Sequence, residues 1–362
     1  MNDQYIQRLK KIEDELEKWL PAGPESAWTD RIFPGLPGGV DPALARSLLE
    51  PGRDLLKRGG KRWRPLLMTL VCESLGGGDG AVPLVPLVEF CHTASLVHDD
   101  IEDNSGERRG KPAVHLLYGI DRGINSGSFL YFLPLACIDE WVEKTDAGEN
   151  SSVSGRAGRV FAVWGEYMRK LHLGQAMDIH WHQDFSSLPG IDEYYTMCAL
   201  KTGCLARLAA VLGVYAVPFP ADAARKTAAD ILGGAAEKLG VGFQILDDVK
   251  NLTAGIPGKE RGDDIAEGKK SLPVLLYLHR RPDRLKFAAE CFAAARKDGP
   301  GIPLAGAFID ELDAAGVLEE AEEKGLSLIK ESAEVFSAET VAGELLREPG
   351  RTLLGGLAGL IS

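Results

Sequence analysis

The chain has 362 residues, 45% of them hydrophobic and 26% charged, with a formal net charge of -12. This composition excludes a disordered chain and fits one large globular domain. The acidity excludes the basic surface field that nucleic-acid backbones require, and no apolar run approaches the roughly 20 residues of a spanning helix, so neither a nucleic-acid partner nor membrane insertion is expected.

In chain order, Tyr5, Leu9, Ile12, Leu16 and Trp19 step by four and three, which predicts an amphipathic helix over 1–20. Glu and Lys interrupt its apolar positions, so it does not read as a signal peptide, and a cytoplasmic location is expected. The stretch 21–41 holds four prolines and reads as a loop that extends the body. Helical periodicity then predicts helices over 53–75, 82–103, 123–143, 160–184, 192–215, 221–252, 272–278, 309–336 and 339–346, with no run suited to a sheet. The expected fold class is all-α. The six cysteines, Cys72, Cys91, Cys137, Cys198, Cys204 and Cys291, are scattered in apolar surroundings without a CxxC pair, and buried reduced thiols are expected.

Two acidic clusters of one design lie about 150 residues apart, Asp99-Asp100-Ile101-Glu102-Asp103 and Asp247-Asp248-Val249-Lys250-Asn251. Positions i, i+1 and i+4 share a helix face, so each cluster can offer several oxygen ligands to a hard cation, with Asn251 supplying a neutral oxygen in the second. Like carboxylates at i and i+4 repel one another, which makes such a face costly unless cations neutralise it. His92, Leu96, Asp99 and Asp103 fall on one stripe. Glycine-rich segments follow both clusters, 104–114 with Arg108-Arg109-Gly110, and 254–268 with Lys259 and Arg261 leading to Lys269-Lys270. Upstream, Gly59-Gly60-Lys61-Arg62-Trp63-Arg64-Pro65 sets three cations beside a glycine pair, a composition suited to phosphate oxygens. There is no Walker loop, no dinucleotide fingerprint and no Ser or Cys nucleophile motif.

Taken in order with His92-Thr93-Ala94-Ser95-Leu96, Gly174-Gln175, Lys201-Thr202, Phe243-Gln244 and Asp264-Ile265-x-Glu267-Gly268-Lys269, these motifs resemble the trans-prenyl diphosphate synthases of the all-α isoprenoid synthase fold, over about 59–273. The resemblance implies a homodimer that joins isopentenyl diphosphate head to tail to an allylic diphosphate, using Mg2+, with three ions per site. By it, Asp99, Asp100, Asp103, Asp247 and Asp248 bind Mg2+ and, with Lys201, carry catalysis. Lys61, Arg64, His92 and Arg109 hold isopentenyl diphosphate, and Arg108, Lys201, Thr202, Gln244, Lys259 and Lys269 hold the allylic diphosphate. The segments around Tyr118, Ile124 and Met177 look like eukaryotic-type geranylgeranyl diphosphate synthases, so Ala94, Ser95, Tyr131, Phe132 and His172 are expected to set a C20 product. Ser128, where many relatives carry Asp, and Asn251 depart from the common pattern. Synthases of farnesyl or longer products, and a class I terpene cyclase, are the alternatives.

Overall fold

The computed structural model describes residues 3–36, 41–145, 152–219, 221–255 and 261–361. Helices make up most of it, and among the described residues the only strands are two two-residue hairpins, so the all-α expectation holds. Several predicted helices are divided where the backbone must turn. The 53–75 stretch becomes Pro42–Lys57 and Trp63–Ser74, separated by Gly59, Gly60 and Arg62 at φ +88°, +148° and +47°. The 123–143 stretch becomes Ile120–Phe132 and Ala136–Thr145 around Pro134, and 309–336 becomes Pro303–Ala314 and Val317–Phe336 around Gly316. The predicted helix 339–346 is instead a hairpin pairing Thr340–Val341 with Glu344–Leu345. Its central Ala342 and Gly343 both take positive φ, the geometry of a tight two-residue hairpin turn and not of a helix. Helices Leu285–Asp298 and Gly350–Ile361 fall outside the predicted set, and Ser26–Ile32 is a helix inside the expected loop.

The chain divides into two compact units. The first comprises Met1–Gly165, Leu208–Gly233 and Ser337–Ile361, the second Glu166–Arg207 and Gly234–Phe336. In the first, helix Pro86–Glu102 packs with Pro42–Lys57, Trp63–Ser74 and Ile120–Phe132. Pro51 lies inside Pro42–Lys57 and cannot donate to the Ser47 carbonyl, which Arg122 Nη2 takes up at 3.3 Å. The adjacent Gly52 lets the neighbouring helix come close, since a Cβ there would stand 2.5 Å from Leu130 Cδ1. At the termini Tyr5 donates to the Leu353 carbonyl at 2.7 Å. In the second unit, Trp181, Tyr194, Ile245, Leu275, Phe292 and Phe308 belong to one buried core. Ser332 there bonds the Ala235 carbonyl at 2.8 Å.

All six cysteines are free and buried, as expected, and burial pushes the Cys72 and Cys91 thiols up to about 12. The expectation that no apolar run reaches spanning length needs correction. Ile191–Tyr215 has the length and composition, but 72% of its apolar window is buried within the protein, which accounts for its hydropathy as core.

Glu140 receives Arg31 Nη2 at 2.8 Å, together with Lys18 and Lys144, tying the first helices to Ala136–Thr145. Burial alone would push its carboxyl up, but the bonds from Lys144, Lys18 and Arg31 outweigh it and hold the group at about 2. Because the folded value lies below the unfolded one, the stabilisation is present above pH 4.5 and is lost as pH falls towards 2. Urea unfolding should show Glu140→Gln less stable by roughly 1–2 kcal/mol at neutral pH, a gap that closes in acid.

Candidate functional site

In the first unit, helix Pro86–Glu102 presents His92, Ser95, Leu96, Asp99 and Asp103 along one partly accessible stripe, while Ala94 and Asp100 are fully buried. Asp103 sits at the helix end, its N–H on the Asp99 carbonyl at 2.8 Å. The 104–114 segment contains a hairpin, Glu107–Arg108 paired with Lys111–Pro112, turned through Arg109 and Gly110 at φ +56° and +74°. Arg58 Nη1 holds it by the Arg108 and Pro112 carbonyls at 3.0 and 2.9 Å. The turn sends the two arginines to different tasks. Arg108 Nε donates to Asp100 Oδ1 at 2.7 Å and its Nη2 lies 3.5 Å from Asp99 Oδ2, whereas Arg109 donates to the Leu55 and Gly59 carbonyls. Burial pushes the Asp100 carboxyl up, opposed by Arg108 and assisted by Asp99.

Of the three cations in the 59–65 motif, Arg62 serves the fold. It is buried and donates to Glu89 at 2.9 Å and Glu13 at 2.7 Å. Gly60 leaves room for two guanidinium groups, since a Cβ there would stand 3.1 Å from both Arg109 Nη2 and Arg62 Nη1. Lys61 is exposed, and Arg64 stacks 4.4 Å from the Trp63 ring centroid with Nη1 3.4 Å from His92 Nε2. Burial first, then Arg64, Arg109, Arg62 and Arg108, push His92 well below its ordinary value, so the imidazole is neutral. Burial and the neighbouring arginines also depress Arg109, against the pull of Glu89. Within a chain of net charge -12 this is a local positive field, suited to an anion.

In the second unit the helix through Lys201 widens into a π turn at Ala199–Gly203. Such turns are a frequent device at functional sites. Gly174 permits it: a Cβ there would lie 2.4 Å from Lys201 N and 2.7 Å from Leu200 C. Lys201 Nζ bonds Asp178 Oδ2 at 2.5 Å, and Thr202 Oγ1 donates to Gln244 Oε1 at 2.7 Å. Gln244 Nε2 continues to Asp248 Oδ1 at 2.9 Å, while Asp248 Oδ2 accepts from Tyr194 at 2.6 Å and from Leu272 N at 3.3 Å. Both Asp248 oxygens are thus engaged and buried, and burial raises its carboxyl despite those bonds, whereas Asp247 is exposed. Asn251 turns its Oδ1 to the Asp264 N–H at 3.1 Å, so that oxygen braces the following short helix. Lys269 pairs with Glu267, and Lys259 lies outside the described residues. Tyr194, not anticipated, is identified only by its bond to Asp248, because the π turn between it and Lys201 breaks the α-helical spacing that could have linked them.

The residues expected to limit product length are placed unequally. Ser95 shares the accessible stripe with Asp99, but Ala94 is packed away from it. Tyr131 is buried and stacked on His98 at 5.8 Å, beside Gly127, where a Cβ would be 3.0 Å from His98 Nε2. Phe132 is 65% exposed, and His172 in the second unit bonds the Met168 carbonyl at 2.8 Å.

Among the described residues no three His, Cys, Asp or Glu side chains are already grouped around a metal position. The donor set nevertheless fits a hard divalent cation: Asp99, Asp100 and Asp103 offer only carboxylate oxygens, and Asp100 Oδ2 is buried without a hydrogen-bond partner.

Residues 45–300 match the polyprenyl synthetase family, and the chain belongs to it. Over 243 residues it is 37% identical to a geranylgeranyl pyrophosphate synthase of Clitopilus passeckerianus, a match covering 65% of each. The matched segment is therefore somewhat under two thirds of that relative's length. Over nearly its whole length the fold superposes on the geranylgeranyl pyrophosphate synthetase of the archaeon Geoglobus acetivorans, with a TM-score of 0.74, 26% identity and 98% coverage of both chains. It also matches a polyprenyl synthase of Caulobacter crescentus solved with calcium and isoprenyl diphosphate, with a TM-score of 0.69, 25% identity and coverage of 97% and 96%. The fold is that of the isoprenoid synthases.

Gly174→Ala should force the Lys201 turn aside and cost roughly 2 kcal/mol in urea unfolding. Gly158→Ala on the same helix, with nothing within 4 Å of the new methyl, should be neutral or stabilising. Equal effects would show that the close approach at Gly174 is not what requires glycine there.

Proposed function

We propose that the chain is a Mg2+-dependent prenyltransferase that joins isopentenyl diphosphate head to tail to an allylic diphosphate of C5 to C15, with geranylgeranyl diphosphate, C20, as product. The observation that carries this reading is the stripe of helix Pro86–Glu102. A neutral His92 among guanidinium groups makes an anion site, and two turns further the carboxylates of Asp99 and Asp103 make a cation site. A diphosphate enzyme needs both chemistries on one scaffold.

In this reading Lys61, Arg64, His92 and Arg109 hold isopentenyl diphosphate, and Arg108, Lys201, Thr202, Gln244, Lys259 and Lys269 hold the allylic diphosphate. Asp99, Asp100, Asp103, Asp247 and Asp248 are the residues for up to three Mg2+ ions, which supply positive charge for the departing diphosphate. The protein's own part is orientation. Arg108 is preset by its bond to Asp100, Lys201 by Asp178, and Asp247 by the anchoring of its neighbour Asp248. The neutral state of His92 avoids adding a further cation to those around it and leaves a nitrogen to accept from Arg64. The allylic C–O bond breaks, a C–C bond forms to isopentenyl diphosphate, and the proton lost from that product leaves with diphosphate. No side-chain nucleophile is required. The exposed Leu116, Leu117, Ile120, Ile124 and Phe132 support a homodimer, and the reduced buried cysteines suit the cytoplasm.

Incubation with Mg2+, labelled isopentenyl diphosphate and C5, C10 or C15 primer should give a C20 product by chromatography, and none after chelation. Turnover of a primer without isopentenyl diphosphate would favour a terpene cyclase instead.

Removing the bulk of Tyr131 and Phe132 together by alanine should lengthen the product beyond C20. An unchanged product would take the length limit away from these residues.

A further inference from the structure

Lys270 is a titratable group that the proposed reaction does not use. It is 3% exposed, and its Nζ donates to the Gly268 and Phe185 carbonyls at 3.3 and 3.4 Å and lies 4.2 Å from the Phe292 ring centroid. Among the described residues no carboxylate forms an ion pair with it. Asp184 and Arg296 are the charged groups that face it, and they act in opposite directions at longer range. Burial pushes the amine down to about 8. Carbonyls and ring faces repay only part of the cost of dehydrating an ammonium, and an unbranched apolar side chain would fill the same space more cheaply. The charge is therefore not there for stability.

What it grips is the main-chain carbonyl just before Lys269, together with that of Phe185. Gly268 takes φ +78°, and a Cβ there would stand 2.7 Å from Phe185 Cε1 and 3.0 Å from the His182 carbonyl. Arg296 lies 4.5 Å from the Phe185 ring centroid and donates to the carbonyls of His182, at 3.0 Å, and Glu267. The carbonyls of Glu267 and Gly268 thus each carry a buried or stacked cation, while the Lys269 N–H bonds the Asp264 carbonyl at 2.8 Å and its ammonium rests on Glu267.

We propose that Lys270 is a positioning residue for Lys269: with Arg296 it locks main chain 267–270 against the segment that follows helix Ser152–Gln183, so that the Lys269 ammonium transfers from Glu267 to an allylic diphosphate without the backbone rearranging. The inference rests on the prenyl-transfer reading for the role of Lys269. The lock needs a charged amine, so it weakens as pH rises through about 8.

The test compares the full-length protein with Lys270→Met and Lys270→Arg by KM for farnesyl diphosphate and for isopentenyl diphosphate, by thermal midpoint, and by amide hydrogen exchange over 264–271. Lys270→Met should raise KM for farnesyl diphosphate about tenfold and leave that for isopentenyl diphosphate within about twofold. Its midpoint should not fall, and amides 267–271 should exchange faster. Lys270→Arg, which cannot deprotonate, should restore KM and hold it level between pH 7 and 9, where the wild type rises. An unchanged KM, an equal rise for both substrates, or unchanged exchange would overturn the proposal. A wild-type chain that condenses nothing would sink the prenyl-transfer reading alone, since faster exchange in Lys270→Met would still support the lock and unchanged exchange would still refute it.

Discussion

The ion pair between Asp100 and Arg108 governs the geometry of the first unit's site. Four carboxylates, those of Asp99, Asp100, Glu102 and Asp103, crowd the end of helix Pro86–Glu102, and one of them, Asp100, is wholly buried. A buried carboxylate demands a donor, and the hairpin brings one from eight residues away. The tight turn that delivers Arg108 also commits Arg109 to the opposite direction, towards the Gly59 carbonyl and the arginines around His92. One short turn therefore separates the carboxylate-rich and guanidinium-rich ends of a single stripe. Buried ion pairs add little net stability because desolvation offsets the attraction, so the value of this pair lies in orientation.

The second unit solves the same problem with neutral donors. Asp248 is surrounded by a phenol, an amide and a main-chain N–H instead of a guanidinium, and its carboxyl is pushed up by burial. The chain of bonds through Gln244 to Thr202 joins the acidic helix to the widened turn that carries Lys201. That turn depends on a packing condition, the absence of a side chain at Gly174. Charge placement in this unit is thus settled by how closely two helix backbones approach.

Much of this was legible in the sequence. Helical periodicity gave the all-α class, and the two aspartate clusters, the paired arginines and the Lys-Thr pair marked the residues that carry charge in each unit. Periodicity could not mark where helices break, since Gly59, Gly60 and Arg62, or Ala342 and Gly343, look alike in composition to turns and to helix ends. It also could not separate Arg62 from Arg64, or Ala94 from Ser95, because adjacent residues differ only in which neighbour each one meets.

The order and chemical type of the charged residues were determined by the sequence alone, because ligand chemistry follows from side-chain identity and helical spacing follows from the backbone. Only the tertiary structure decided which of those polar groups are buried in the fold and which face solvent. Arg62 and Lys270, and the neutral amide of Asn251, are committed to buried partners, while Lys61 and Asp247 stay exposed. The physical reason is desolvation: a buried polar group must find its partner inside the protein, and which partner is in reach depends on packing between segments distant in the chain.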